Sequence, residues 1–443
     1  MKKSILVLLL ALLFLGTIAT AETVVKMVFW PGPEAEAMQE VVNYYNENIS
    51  PRSGIKVEMV LFGREGFFEK QATILAGRSS EVDLIFTTSY IIHQHAPYLE
   101  PLEPYFANPK LAGTGEVETF IESVRDSFTI DGKLYGIPTD ASITTLLYRK
   151  DLVDRIMNDP AWTAGYKELA LSVLGEELEP KPAEEWNWDD FYVTTLFLSR
   201  KHNPESPTTF GTALQAKAMW PNGKVWSAIL KSMGGSWFDD QGNPTFNTPE
   251  ALAALKLYAD IMRAEAAPPG SVNYEYTEPN EAMKTQSAAM IFQWGVAFTE
   301  LSNPEASPAI WDKVAIAPYP AGDGGHTVWL TSMGVGLSRW SRNKEAAFEW
   351  LAFLSTPKAM RIYGSHGGVP PVTSVLEDLG EDSPIFSHVK EYLEQYAFNY
   401  VAGTETVDVL RVLATAISEV TALTVSPEAA LRSVQRELDY LGF

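Results

Sequence analysis

From residue 24 onward, apolar and polar positions fall into alternating blocks, some with the period of a buried strand and some with that of an amphipathic helix. Residues 24–30 are short, β-branched and apolar, which predicts a buried strand. Pro31-Gly32-Pro33 then breaks the run. Over residues 34–48, Met38, Val41, Val42 and Tyr45 fall at i, i+3, i+4 and i+7 and make one apolar stripe of a helix. Residues 55–61 predict a second strand, 67–76 a helix ended by Gly77, and 83–86 a third strand. Strand, helix, strand, helix, strand at this spacing predicts parallel α/β units.

Further along, 134–138 and 145–148 read as two separate extended pieces. Asn187 is placed to cap a helix opening at Trp188. Thr248-Pro249-Glu250 opens another, with Leu252, Leu255, Ala259 and Met262 on its stripe. Residues 288–292 and 335–337 predict strands, the second after a Gly-rich loop at 322–325. A helix over 345–354 turns Ala347, Trp350, Leu351 and Leu354 inward, and a last one from Ser426-Pro427-Glu428 turns in Leu431, Val434, Leu438 and Leu441. The acidic, proline-containing stretch 154–185 predicts a surface insertion holding one helix.

The amino terminus has a different character. Lys2-Lys3, an apolar run over 5–15 and Ala19-Thr20-Ala21 predict a secretory leader over 1–21, cut before Glu22. The run is short for a hydrocarbon core of roughly 30 Å. Charge and cysteine usage narrow the picture further. The net charge of −22 argues against binding phosphate backbones or anionic membranes. The chain has no cysteine, so it forms no disulfide, thiolate metal site, cysteine nucleophile or N-terminal lipid anchor. An exported chain without that anchor is expected free in a compartment or secreted.

The order of segments resembles the family-1, maltose-binding-like extracellular solute-binding proteins, the receptors of ABC sugar importers. The opening strand and helix carry part of the likeness. Leu75-Ala76-Gly77 with Val82-Asp83-Leu84-Ile85, and then Leu99-Glu100-Pro101-Leu102, carry more. Gly132-Lys133-Leu134-Tyr135-Gly136-Ile137-Pro138 and Leu147-Tyr148-Arg149-Lys150-Asp151-Leu152 are the closest matches. Ala288-Ala289-Met290 before Trp294-Gly295, the segment 334–354, and Gly367-Gly368-Val369-Pro370 complete it. Val82 stands where that family usually has proline, and about thirty residues separate Lys150-Asp151-Leu152 from the Trp188-Asp189 helix start, which usually follows closely.

The resemblance implies an α/β fold of two lobes, the type II periplasmic-binding-protein fold, with a ligand cleft between lobes joined by hinge crossings. It implies an N-terminal lobe of 22–138 and 288–342 and a C-terminal lobe of 139–287 and 343–443, with crossings near 138–142, 285–288 and 342–344. It implies a carbohydrate ligand, no cofactor, and docking of the closed, monomeric receptor on the permease subunits of an ABC transporter.

Sugar recognition needs flat aromatic faces for the C–H side of a pyranose and polar groups for its hydroxyls. Twelve tryptophans supply the first. Trp30 and Trp294 end predicted strands, Trp329 follows the Gly-rich loop, and Trp220 sits at a break between helical patterns. Ligands of α/β sheets bind beyond the carboxyl ends of strands, which favours these four. Thr88 and Ser89 after the third strand, Asp140 at the expected hinge, and Glu34 at the first helix start are the polar candidates. Core packing of the tryptophans, a helix-terminus charge for Glu34 and a turn hydrogen bond for Asp140 are the competing readings. A secreted carbohydrate-active hydrolase and a receptor for a polyol phosphate are the alternative functions. No catalytic motif supports the hydrolase, and few Lys or Arg near the cleft support the phosphate. His93 and His95 have a possible metal spacing but no partner cluster, so no metal is expected.

Overall fold

The computed structural model describes residues 22–63, 66–111, 115–381 and 383–443. The leader expected over 1–21 lies outside them. Among the described residues, seven strands order the main sheet. They are β1 (Thr23–Phe29), β2 (Ile55–Leu61), β3 (Leu84–Thr88), β4 (Ile137–Arg149), β5 (Phe210–Thr212), β6 (Ala288–Trp294) and β7 (Gly325–Leu337), laid side by side as β2-β1-β3-β7-β4-β6-β5. The opening units form as their patterns predict. β1 pairs in parallel with β2 and β3, and the helix Pro33–Asn48 buries Met38, Val41, Val42 and Tyr45.

The two extended pieces expected around 134–148 are one 13-residue strand, β4, buried along its whole length. Thr139, Asp140, Ser142, Thr144 and Thr145 interrupt its apolar pattern, and this hid its continuity. β4 is long because it serves both lobes. It pairs antiparallel with β7 from Val335↔Ile137 to Trp329↔Thr144. At one end β7 pairs with β3, through Met333↔Thr88 to Leu337↔Leu84. At the other end β4 pairs with β6, through Thr144↔Trp294 to Tyr148↔Met290. The β4–β7 ladder slips by one residue between Met333↔Asp140 and Gly334↔Pro138, so Thr139 is the extra residue of a bulge. Gly334 is required there, because a Cβ would lie 2.8 Å from the Ile137 carbonyl oxygen.

Packing divides the chain differently from the expected lobe boundaries. One core draws on residues 25–137 and 333–375, including Ala347, Trp350, Leu351 and Tyr363 of the helices Lys344–Leu354 and Pro357–Ser365. β6 lies in the other lobe, packed with Leu146, Phe191 and Leu214 on one face and Ile143 and Ala213 on the other. The apolar cores thus group 288–330 with the second half of the sheet and 344–363 with the first, while 333–337 packs with the first and 376–438 with the second. The chain crosses on β4 near 138–142, on β7 near 330–333, and between Tyr363 and Leu376. The reason is geometric. β6 is an inner strand of the second half of the sheet, so the return to the first lobe falls to β7.

The second lobe absorbs the insertion more deeply than its polar composition suggests. Two helices, Lys150–Asn158 and Pro160–Leu174, fill it, and Trp162, Tyr166 and Ala170 join the lobe core. Asn187 and Asp190 form a reciprocal capping box, and Thr248 caps the helix Pro249–Arg263. In the last helix Leu431, Val434 and Leu438 turn inward, whereas Leu441, expected inward, is exposed at the frayed end. Trp329, expected at the ligand, is 1% exposed and packs among Trp237, Phe398 and Tyr400 at 5.5–6.1 Å. Alternation along β7 aims that ring into the lobe core and away from a cleft wall. Among the described residues no helix is long and apolar enough to cross a membrane.

Trp329→Ala should therefore cost about 3–5 kcal/mol of stability, the range for emptying a buried aromatic site. Chemical denaturation followed by circular dichroism checks this. A loss under about 1 kcal/mol would show that the ring is not core.

Candidate functional site

The β4–β7 crossing is a polar strip at the junction of the lobes. Asp140 sits on it, 2% exposed. Its Oδ2 accepts a hydrogen bond from Tyr363 Oη at 2.8 Å and another from the Val369 amide at 2.8 Å. Tyr363 belongs to the first core and Val369 to the third crossing, so Asp140 ties crossing segments together. Burial is the main cause that raises its pKa, and the nearby Glu34 carboxylate adds to it. The bonds from Val369, Tyr363 and Ser142 oppose the rise, and the result is about 7. Glu34 lies in the first turn of the helix Pro33–Asn48, 8% exposed.

Further hydroxyls lie on β4 and on the neighbouring end of β3. Thr88 is buried on β3 opposite Met333, and the Ser89 amide donates to the Ser332 carbonyl at 2.9 Å. Among the described residues, Thr88 Oγ1, Thr139 Oγ1 and Ser142 Oγ are buried without a hydrogen-bond partner. A buried polar group left unpaired costs roughly 1–3 kcal/mol, so this cluster at the lobe junction suits a hydroxyl-bearing partner.

Each lobe adds an aromatic wall. In the first, Trp30 ends β1 half-buried against Phe86 at 4.6 Å and Phe67 at 5.7 Å, and Phe68 continues the wall to Tyr90 at 5.9 Å. In the second, Trp294 ends β6 half-buried, 6.3 Å from Tyr276. A buried amide network sets that corner. Gln293 Nε2 donates to the Tyr276 carbonyl and to Asn280 Oδ1, both at 2.8 Å, while its Oε1 accepts from Gln215 Nε2.

Trp220 opens the helix Trp220–Ser232, half-buried, and its ring lies 4.9 Å from that of Tyr90 across the junction. Lys224, one turn on, places Nζ 3.7 Å from the Tyr90 ring centre and donates to Thr331 Oγ1 at 3.2 Å. Burial lowers the Lys224 pKa well below the usual lysine range, against the opposing field of Glu275.

Thus Thr88, Ser89, Asp140 and Glu34 gather at the first-lobe side of the junction with Trp30 nearby, and Trp220 and Trp294 stand on the second-lobe side. Trp329 does not join them. Sequence reasoning missed Tyr90, Lys224, Thr331, Glu275 and Tyr363. Lys224 had a local signal, because a helix starting at Trp220-Pro221 puts i and i+4 on one face. Tyr363 had none, since it reaches Asp140 from 223 positions away. His95 is buried, with Nδ1 3.2 Å from Thr87 Oγ1, and burial lowers its pKa to about 4. Among the described residues no group of three His, Asp or Glu is arranged to hold a metal ion.

A two-lobed α/β chain with a polar, aromatic-walled junction can be set beside known proteins. Residues 31–361 match the model of the bacterial extracellular solute-binding proteins. The chain belongs to that family. A probable amino-acid ABC transporter periplasmic-binding protein of Sinorhizobium fredii is 26% identical over 360 residues, covering 78% of this chain and 72% of that protein. The mannitol-binding protein of Pseudomonas aeruginosa is 24% identical over 349 residues, covering 76% and 70%. Maltose-bound MalE3 of T. maritima shares the fold with a TM-score of 0.77 at 20% identity, over 95% of this chain and all of that one. A solute-binding protein of Agrobacterium vitis with bound D-mannitol has a TM-score of 0.72 at 22% identity, over 95% and 99%. As a solute-binding protein the chain is a non-catalytic receptor of an ABC transporter, with the periplasmic-binding-protein fold.

The Asp140 carboxyl has a pH consequence for this receptor. An unfolded Asp loses its proton near pH 3.8, whereas the folded one holds it to about 7. The folded state thus binds the extra proton between those values, and stability falls as pH rises through that window. Asp140→Asn keeps an acceptor for Tyr363 and Val369 but cannot ionise. The melting temperature of wild type relative to this variant should fall from pH 4 to pH 7 and level off above. A difference independent of pH would contradict the assignment.

Proposed function

We propose that this receptor captures a sugar or oligosaccharide between its lobes in the periplasm and hands it, as a closed monomer, to the membrane permease. One observation supports the reading: Trp30 in one lobe and Trp294 in the other are half-buried at strand ends, and buried carboxyl and hydroxyl groups lie where the lobes meet. A carbohydrate presents the complementary surfaces, with apolar C–H faces for the rings and hydroxyls for Glu34, Asp140, Thr88 and Ser89. Hinge motion about the crossings would bring the walls together on the ligand. The leader over 1–21 and the lack of a cysteine anchor support the compartment.

The mannitol-binding relative supports an open-chain polyol as a close variant of this reading. A phosphorylated polyol is less well supported. Lys224 sits in the opposing field of Glu275, and the Glu34 carboxyl stands at the same junction, an environment that disfavours a phosphate dianion.

Intrinsic tryptophan fluorescence, titrated with mono- and oligosaccharides and with mannitol, should show a saturable change, with the solute recovered intact by chromatography. Trp30→Ala and Trp294→Ala should each weaken that binding by about tenfold or more, the effect of losing roughly 1.4 kcal/mol. Silence across the sugars and the polyol would sink the reading, as would unchanged affinity in both variants.

A further inference from the structure

Among the described residues, two sets of contacts made by the protein's own groups join the lobes directly at the cleft. In the first, Tyr90 of the first lobe meets Trp220 and Lys224 of the second. The rings are 4.9 Å apart at 46°, and Lys224 Nζ lies 3.7 Å from the Tyr90 ring centre and 4.9 Å from that of Trp220. In the second, Gln94 Nε2 donates to the Thr404 carbonyl. Each partner is fixed to its own lobe. Tyr90 lies in a turn off β3, where the Ser89 amide binds Ser332 and the Ile91 amide binds the Thr88 carbonyl. Lys224 is held on the helix Trp220–Ser232, whose Val225, Trp226 and Ile229 are in the second core. A rotation about the β4–β7 crossing would separate all of these pairs, exposing Tyr90 and Lys224, which are 3% and 2% exposed here.

We infer that Tyr90, Trp220 and Lys224 form a latch that closes the lobes on each other without a solute. The contacts are aromatic packing and an amine over a ring face, and the second survives in either protonation state as an N–H···π contact. The inference reaches beyond sugar binding and holds for any solute. It also gives Trp220 a different task from ligand stacking, because its ring already faces Tyr90 and Lys224. A receptor with such a latch populates the closed form before binding, so the solute selects that form and does not have to create it.

The test uses the full mature chain, unfolded and refolded to strip any carried solute, and measures its radius of gyration by small-angle X-ray scattering. Wild type should show the radius of gyration of this structure, with the lobes in contact. Lys224→Met and Trp220→Ala should shift the radius upward, and Tyr90→Phe, which keeps the ring, should stay near wild type. Circular dichroism confirms that each variant is folded, and Lys224→Met, close in volume, decides the matter if Trp220→Ala is not. Wild type as expanded as the variants would overturn the latch. So would a folded Lys224→Met with an unchanged radius. Failure of the sugar titrations would leave both results intact, since no ligand enters the measurement.

Discussion

The antiparallel pairing of β4 with β7 is the constraint on which the rest of this molecule depends. Both strands are 13 residues long, and together they are the shared centre of a sheet whose two ends belong to different lobes. At roughly 3.3 Å per residue each spans some 40 Å, enough to run through one lobe into the next. β4 is buried along its whole length, so its polar side chains must lie inside the molecule, where each is costly unless it meets another polar group. The polar strip at the crossing follows from that requirement. The bulge at Thr139 lies at the same point, where an extra residue locally bends and twists the ladder.

The polar strip in turn explains how the hinge is both fixed and adaptable. Asp140 joins one crossing to Tyr363 and Val369 of the neighbouring segments. Those bonds and the β4–β7 ladder hold the three crossings in a common frame while the lobes keep separate apolar cores. Under the proposed hinge closure the walls carried by the lobes would approach or part as units. Trp30 and Tyr90 move with the first, Trp220, Lys224 and Trp294 with the second. On that proposal, binding and closure would be coupled through the same few side chains, with the energy of any solute added to that of direct contacts between the lobes.

Local patterns in the chain were legible where a single element decides them. The stripe of Met38, Val41, Val42 and Tyr45, the capping box of Asn187 and Asp190, and the proline starts at 249 and 427 depend on neighbours within a turn or two, and all formed. Trp30 and Trp294 lie half-buried at strand ends, as their patterns predict, because the end of a strand leaves its last side chains at the sheet's rim. The same rule failed for Trp329, which lies inside a long strand whose start was read too late. The insertion was read as surface because its charges dominate its composition, although the few aromatic residues between them decide where it packs.

The sequence by itself determined the family, the α/β class, and most of the elements, because these rest on period, caps and short motifs that act over a few residues. Tertiary structure alone decided which lobe owns each late segment, and which side chains meet at the cleft. Lobe ownership depends on strand order, and β7 returns to the first lobe only because β6 already pairs on the far side of β4. The pairs Asp140–Tyr363, Tyr90–Trp220 and Lys224–Thr331 join residues more than a hundred positions apart. No periodicity reaches over that distance, so only the folded sheet brings them within a few ångströms.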